Sequence, residues 1–150
     1  MKLAEALLIR ADQKKKLLSL RERIAQNVRI QEGETSAETA DDLIAQAFAL
    51  LKEHQLLTLQ IDRANAKAKL ADGRQLADAL AERETLVQQH SLLLAAIAAT
   101  RQKADRYSYR EIKWVVQVNV AALQKQADDL SAKLRELNAR IQEANWQIDI

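Results

Sequence analysis

The second quarter of the chain carries the most regular apolar pattern in the sequence. Its apolar residues, with one histidine, recur in alternating steps of four and three at Leu43, Ala47, Leu50, His54, Leu57, Ile61, Ala64 and Ala68. This heptad spacing is typical of a coiled-coil helix, which we predict over residues 39–70. A second row of Ile44, Phe48 and Leu51 widens the apolar face, so we expect more than one helix to pack on it.

Three further segments have the period of a helix. The first, over about 2–31, has its stripe at Leu3, Leu7, Leu17, Leu20, Ile24 and Val28 and passes through Arg10 and Lys14. The next, over about 75–103, has a row at Leu76, Leu80, Arg83, Val87, His90, Leu94 and Ile97. The last, over about 119–148, has Leu123, Gln126 or Ala127, Leu130, Leu134, Leu137 and Ile141. We predict an all-α fold: a single domain, 1–150, of long antiparallel hairpins in a coiled-coil-like four-helix bundle.

The breaks between the first three helices coincide with glycine. Gly33 marks the first turn and Asp72-Gly73 the second. Either Ser36 or Thr39 is suited to cap the second helix, and Asn119 the fourth, because their side chains accept hydrogen bonds from free backbone N–H groups.

Residues 107–118 depart from the helical period. Ile112, Trp114, Val116 and Val118 alternate with Lys113, Val115, Gln117 and Asn119, which predicts one short strand-like segment. A lone strand leaves its backbone groups unpaired. We expect it to pair with the same strand of another subunit, or, as the alternative, with Tyr107 to Tyr109 folded back on it. The segment therefore predicts a homo-oligomer.

Composition agrees with long helices and narrows the cellular setting. The 150 residues include 0 Pro, 2 Gly and 0 Cys. Without cysteine there is no disulfide framework, and the first ten residues lack the uninterrupted apolar core of a signal peptide. The longest apolar run, Leu92 to Ala99, is too short to span a membrane. These features predict a cytoplasmic protein.

Charge is unevenly distributed along the chain. Residues 1–31 carry eight Lys or Arg against three Asp or Glu, whereas residues 32–66 carry two against seven. Two successive helices of opposite sign are suited to an antiparallel hairpin, each neutralising the other. The alternative is that the basic first helix lies along a nucleic acid, although aromatic residues for base stacking are scarce.

The two histidines are the sharpest candidates for a metal site. If the second and third helices fold back about Asp72, His54 and His90 face each other. Two imidazoles bind zinc or another transition metal when an acid completes the set, here Glu53, Glu84 or Asp62. The structural alternative is that both are polar seam residues that fix helix register. We expect no bound cofactor.

The densest cluster of polar and aromatic side chains lies around the strand-like segment: Arg106, Tyr107, Tyr109, Glu111, Ile112, Lys113, Trp114 and Val116. One interpretation is a pocket for an anionic ligand at a subunit junction. The other is an oligomer interface, since Trp, Tyr and Arg are enriched in interfaces. The chain has no catalytic Ser/His/Asp order and no phosphate-binding glycine loop, so the sequence predicts no enzyme.

The motifs together resemble those of a family of bacterial all-helical proteins catalogued as septicolysin-like. The matching motifs are Lys2 to Leu7, Gln31-Glu32-Gly33, Asp72-Gly73-Arg74, Arg106-Tyr107-Ser108, Glu111 to Val115, Leu123 to Asp128 and Ala144-Asn145-Trp146. The resemblance implies a helical homo-oligomer, in the form of a hexamer, without an established activity. The family name implies a pore-forming protein, which we keep as an alternative.

Overall fold

The computed structural model of the chain describes residues 1–101 and 112–150. Four helices are present in these residues: α1 (Leu3–Asn27), α2 (Ala40–Lys67), α3 (Leu76–Ala99) and α4 (Val120–Gln147). They pack in two pairs, α1 with α2 and α3 with α4, and the described residues form no β-sheet. The predicted all-α fold of helical hairpins is therefore confirmed. The chain divides into two compact units, Met1–Lys69 with Gln142–Ile150, and Leu70–Ile141.

The α1·α2 hairpin is built on the predicted heptad seam of α2. Leu43, Leu50, Leu57 and Ile61 are buried, while Ala47, His54, Ala64 and Ala68 are half-buried. Near the turn, the buried leucines pack with their partly buried neighbours in one cluster: Leu20, Leu43, Leu50, Leu17, Ile24 and Ala47. The seam of α2 thus supplies one wall of the hairpin core and α1 the other.

The predicted stripe of α1 needs two corrections. Gln13 is half-buried and Lys14 is exposed, while Asn27 is half-buried and Val28 is exposed. A seam at alternating steps of three and four passes through Gln13 and Asn27, so these polar residues occupy positions that hydrophobicity alone assigned to their neighbours. Lys14, Lys15 and Lys16, which follow Gln13, are all exposed.

An ion pair joins α1 to the residues that precede α2. The Arg23 guanidinium donates two hydrogen bonds to the Glu38 carboxylate, one of them from Nε over 3.0 Å. This bond raises the pKa of Arg23 and lowers that of Glu38. This ion pair joins α1 to the turn before α2, so the mutual neutralisation of a basic helix and an acidic one stays a prediction.

The first turn begins earlier than predicted, because α1 ends at Asn27 rather than near residue 31. Gly33 has a φ of 88°, in the left-handed region that favours glycine. Thr39 is the cap of α2, since its hydroxyl accepts a hydrogen bond from the Asp42 N–H over 3.3 Å. Ser36, the other candidate, bonds to Asn27 and to the Glu38 carbonyl instead.

The two ends of the chain are joined within the first unit. The Leu3 N–H donates to the Ile148 carbonyl and the Ile150 N–H donates to the Met1 carbonyl, both over 2.9 Å. Lys2 Nζ lies 2.9 Å from the Asp149 carboxylate. This short antiparallel bridge fixes the start of α1 against the residues that follow α4.

The second unit contains α3 and most of α4. The predicted row of α4 is confirmed, with Ala127, Leu137 and Ile141 buried. In α3, Val87 and Leu94 are exposed, whereas their neighbours Leu86 and Leu93 are half-buried. The sequence has leucine or valine at both positions of each pair, so apolar character alone does not distinguish the inner residue from the outer one.

Candidate oligomer interface

Residues 112–118 are the most exposed apolar segment of the described chain. Trp114 is 89% exposed, and large fractions of the other apolar side chains are also in solvent: Ile112, Val115, Val116 and Val118. Lys113 is exposed as well. Monomeric soluble proteins seldom present a contiguous apolar surface of this kind without a partner for it.

The backbone of this segment is also without a partner in the described chain. Residues 112–118 belong to neither helix nor strand, so the predicted strand is not formed there. Among residues 1–101 and 112–150, no backbone hydrogen bond found outside the helices involves 112–118. A strand exists only through its ladder, and residues 1–101 and 112–150 offer no ladder to this segment.

The segment ends at a well-formed helix cap. The Asn119 side-chain oxygen accepts a hydrogen bond from the Ala122 N–H over 3.0 Å, and the Asn119 carbonyl accepts one from the Leu123 N–H over 3.0 Å. The predicted cap of α4 is thereby confirmed. The exposed segment is consequently anchored to a rigid helix at its C-terminal end.

Four of the predicted site residues, Arg106, Tyr107, Tyr109 and Glu111, lie outside the described residues. The other four, Ile112, Lys113, Trp114 and Val116, share the exposed segment. The anionic-pocket interpretation, which depends on arginine and tyrosine donors, remains a prediction.

Each histidine is hydrogen-bonded inside its own helix pair. His54 Nδ1 lies 3.0 Å from Gln13 Oε1 on α1, and His90 Nε2 lies 3.0 Å from the Ser131 hydroxyl on α4. Both imidazoles are half-buried in the seams. The bonds that the structure gives these rings therefore go to neutral side chains, and the imidazole-to-imidazole arrangement predicted from a hairpin about Asp72 is not among them.

Acidic side chains do not complete a metal site around either ring in the described part of the chain. No group of three or more His, Asp or Glu side chains within residues 1–101 and 112–150 is arranged to hold a metal ion. Sequence inspection missed Gln13 and Ser131 as the partners. Their signal was present, since Gln13 lies on the same three-and-four spacing as Leu17 and Leu20.

A charged network surrounds the Asp72-Gly73 turn. Arg74 bonds to the carboxylates of Asp72 and Glu82 over 3.1 and 2.7 Å, and Arg140 on α4 lies 3.4 Å from Asp72 and 2.7 Å from Glu136. The Arg74 backbone N–H and then its guanidinium hold the pKa of Asp72 below its usual value. Each arginine is thus engaged by two acids, and both arginines line a polar pocket together with Glu82, Glu136, Lys133 and Leu137.

No helix in residues 1–101 and 112–150 is both long enough and apolar enough to cross a membrane.

Comparison with known proteins places the chain in a family. The chain is similar to a solved structure described as "Crystal structure of a functionally unknown conserved protein from Corynebacterium diphtheriae". The two share 31% sequence identity with a TM-score of 0.85, over 98% of this chain and 96% of that one. No curated protein matches the chain. Residues 10–150 match DUF6847, described as a family of unknown function. The chain therefore belongs to the family of unknown function DUF6847.

Proposed function

We propose that this chain is a homo-oligomeric structural or interaction protein of the septicolysin-like type, not an enzyme, and that its subunits associate through residues 112–118. The observation that carries the proposal is the exposure of an alternating apolar segment centred on Trp114. Its side chains and its backbone both lack a partner within the described residues.

Pairing with a second chain would cover the apolar side chains of residues 112–118 and satisfy their backbone hydrogen bonds. An exposed run of free N–H and C=O groups is a template for another strand, and the apolar side chains supply the contact area. Burying a tryptophan removes about 200 Å² from water. At about 25 cal/mol per Å², each Trp114 contributes about 5 kcal/mol before the cost of association.

Charge favours an antiparallel pair. An in-register parallel pair would place Lys113 beside the same lysine of the partner, and like charges directly opposite one another are destabilising. In an antiparallel pair centred on Val115, Lys113 faces Gln117 and Ile112 faces Val118. A two-fold contact of this kind is the commonest way for identical chains to meet.

Native mass spectrometry of Trp114→Ala tests the proposal. We expect the variant to lose subunits relative to the unchanged chain, because the largest side chain of the contact is removed. Trp146→Ala is the matched control, since Trp146 is 54% exposed but belongs to the other compact unit. Circular dichroism of both variants checks that the helices remain folded. An unchanged mass for Trp114→Ala would refute the proposed interface.

The same mass spectra, with one vesicle assay, test the other functions that the sequence left open. A single metal ion retained per chain would favour a site at His54 and His90 over the structural role proposed for them. Retained nucleic acid would favour the basic face of α1 as a binding surface. Dye release from lipid vesicles by the intact oligomer would support the pore-forming activity that the septicolysin name implies.

A further inference from the structure

Helix α2 has a second apolar row beside the seam that packs on α1. Phe48 is 69% exposed, Leu51 and Leu59 are exposed, and Ile44 is half-buried. These four residues, with Gln55 between the last two, lie within one arc of the helix, because each is three, four or eight residues from the next. We refer to Ile44, Phe48, Leu51 and Leu59 as the outer row.

The outer row is the part of the apolar face of α2 that the pairing with α1 leaves largely exposed. We expected more than one helix to pack on α2, and the pairing in the structure supplies α1. Phe48 is the sole phenylalanine of the sequence and lies mostly in solvent. An amphipathic stripe left open in this manner is the pattern by which helical hairpins complete a larger bundle.

Charge at the two ends of α2 indicates what covers the row. Asp41 and Asp42 lie in the first turn, whereas Arg63 and Lys67 lie near the last. None of the four forms a salt bridge within residues 1–101 and 112–150. Asp62 is the one acid near the basic end. The helix is therefore acidic at its start and mainly basic at its end.

A second α2 laid antiparallel on the first matches these charges at both ends. Each acidic start then lies beside the basic end of its partner, and the two helix dipoles are also opposed favourably. A parallel copy would instead bring acid against acid. In an antiparallel arrangement centred near His54, Phe48 of one chain lies beside Leu59 of the other.

We propose that the outer row is a second self-association surface, on which α2 of one chain packs antiparallel against α2 of another. The inference rests on the proposed function, since it adds a second two-fold contact to the one through residues 112–118. Two different two-fold contacts in one chain close into a dihedral assembly with an even number of subunits when their axes intersect at the required angle, and a hexamer is one such assembly.

Native mass spectrometry of the full chain separates the two contacts. Phe48→Glu places an unpaired carboxylate against Leu59 of the other chain in the α2 contact, and it should reduce the assembly to dimers that residues 112–118 still hold together. Gln60→Glu is the control, because Gln60 is exposed on α2 and is not three, four or eight residues from any member of the outer row. Circular dichroism confirms that both variants keep their helices.

Two complementary charges, introduced together, test the antiparallel register. In the double variant Phe48→Glu with Leu59→Lys, each new glutamate faces a new lysine of the partner chain, so the full mass should return. A full-size Phe48→Glu assembly overturns the α2 contact and leaves the 112–118 interface standing. A double variant that stays dimeric overturns the antiparallel self-pairing and favours a different protein as occupant of the row. An unchanged Trp114→Ala assembly instead refutes the proposed function.

Discussion

Replacement of Leu20 by alanine should destabilise the α1·α2 hairpin strongly. Leu20 is 0% exposed and packs with Leu43 and Leu50 in the seam. Truncating a buried leucine removes its transfer free energy and leaves a cavity, which costs 2–5 kcal/mol in general. We expect about 3 kcal/mol here, because Leu20 is fully covered, yet a seam of two helices relaxes more readily than a larger core.

Leu18→Ala provides an internal control two residues away. Leu18 is 59% exposed, so its truncation should change the free energy of unfolding by no more than about 0.5 kcal/mol. The measurement is urea unfolding followed by circular dichroism, at one fixed protein concentration because association adds to apparent stability. Equal losses in the two variants would refute the assignment of Leu20 to the core.

Three further predictions concern the turns and seams. Gly73→Ala should lower the free energy of unfolding by about 1 to 2 kcal/mol, because φ is 86° and the added methyl group meets no atom within 4 Å whose contact would offset the backbone strain. An unchanged midpoint in urea unfolding would contradict this. The pKa of Asp72 is lowered in the folded chain, so its carboxylate stabilises the fold above the unfolded pKa of about 4, and this stabilisation is lost as the pH falls through the folded pKa. In a plot of melting temperature against pH, Asp72→Asn should therefore reduce the fall at acid pH. His54→Leu should cost about 1 kcal/mol by leaving the Gln13 amide without its partner, and Gln13→Leu in the same chain should recover most of it; additive losses would argue against coupling.

The seam of α2 could be predicted from sequence because its spacing leaves little choice. Leu43, Leu50 and Leu57 repeat at heptad intervals, and all three are buried, so the spacing alone identified the seam that packs on α1. The same reasoning predicted the row of α4. The turns followed from Gly33 and Gly73, whose positive φ values are disfavoured for other residues.

The errors occurred where two adjacent positions had similar chemistry. In α3, leucine or valine occupies both 86 and 87 and both 93 and 94, so periodicity was consistent with either choice. In α1, hydrophobicity passed over Gln13 because an amide scores as polar, although it meets His54 in the seam. Polar seam residues find specific partners, which an apolar pattern does not identify.

The histidine contacts show that helix pairing is a tertiary property. Equal distances of His54 and His90 from Asp72 suggested a hairpin of the second and third helices. The structure pairs consecutive helices α1 with α2 and α3 with α4, and thereby gives each ring a partner on a different helix. The alternating apolar pattern at 112–118 could be read from the sequence, but the exposure of its side chains depends on tertiary packing and required the structure.

The mass of the unmodified protein in native mass spectrometry tests the central claim most directly. Each chain weighs 16.9 kDa, so self-association through residues 112–118 predicts an even multiple of that mass, with six chains as the expected number. The assembly should persist at micromolar concentration and carry no metal. A monomer under the same conditions would contradict the account, because the exposed segment would then have no second copy to pair with.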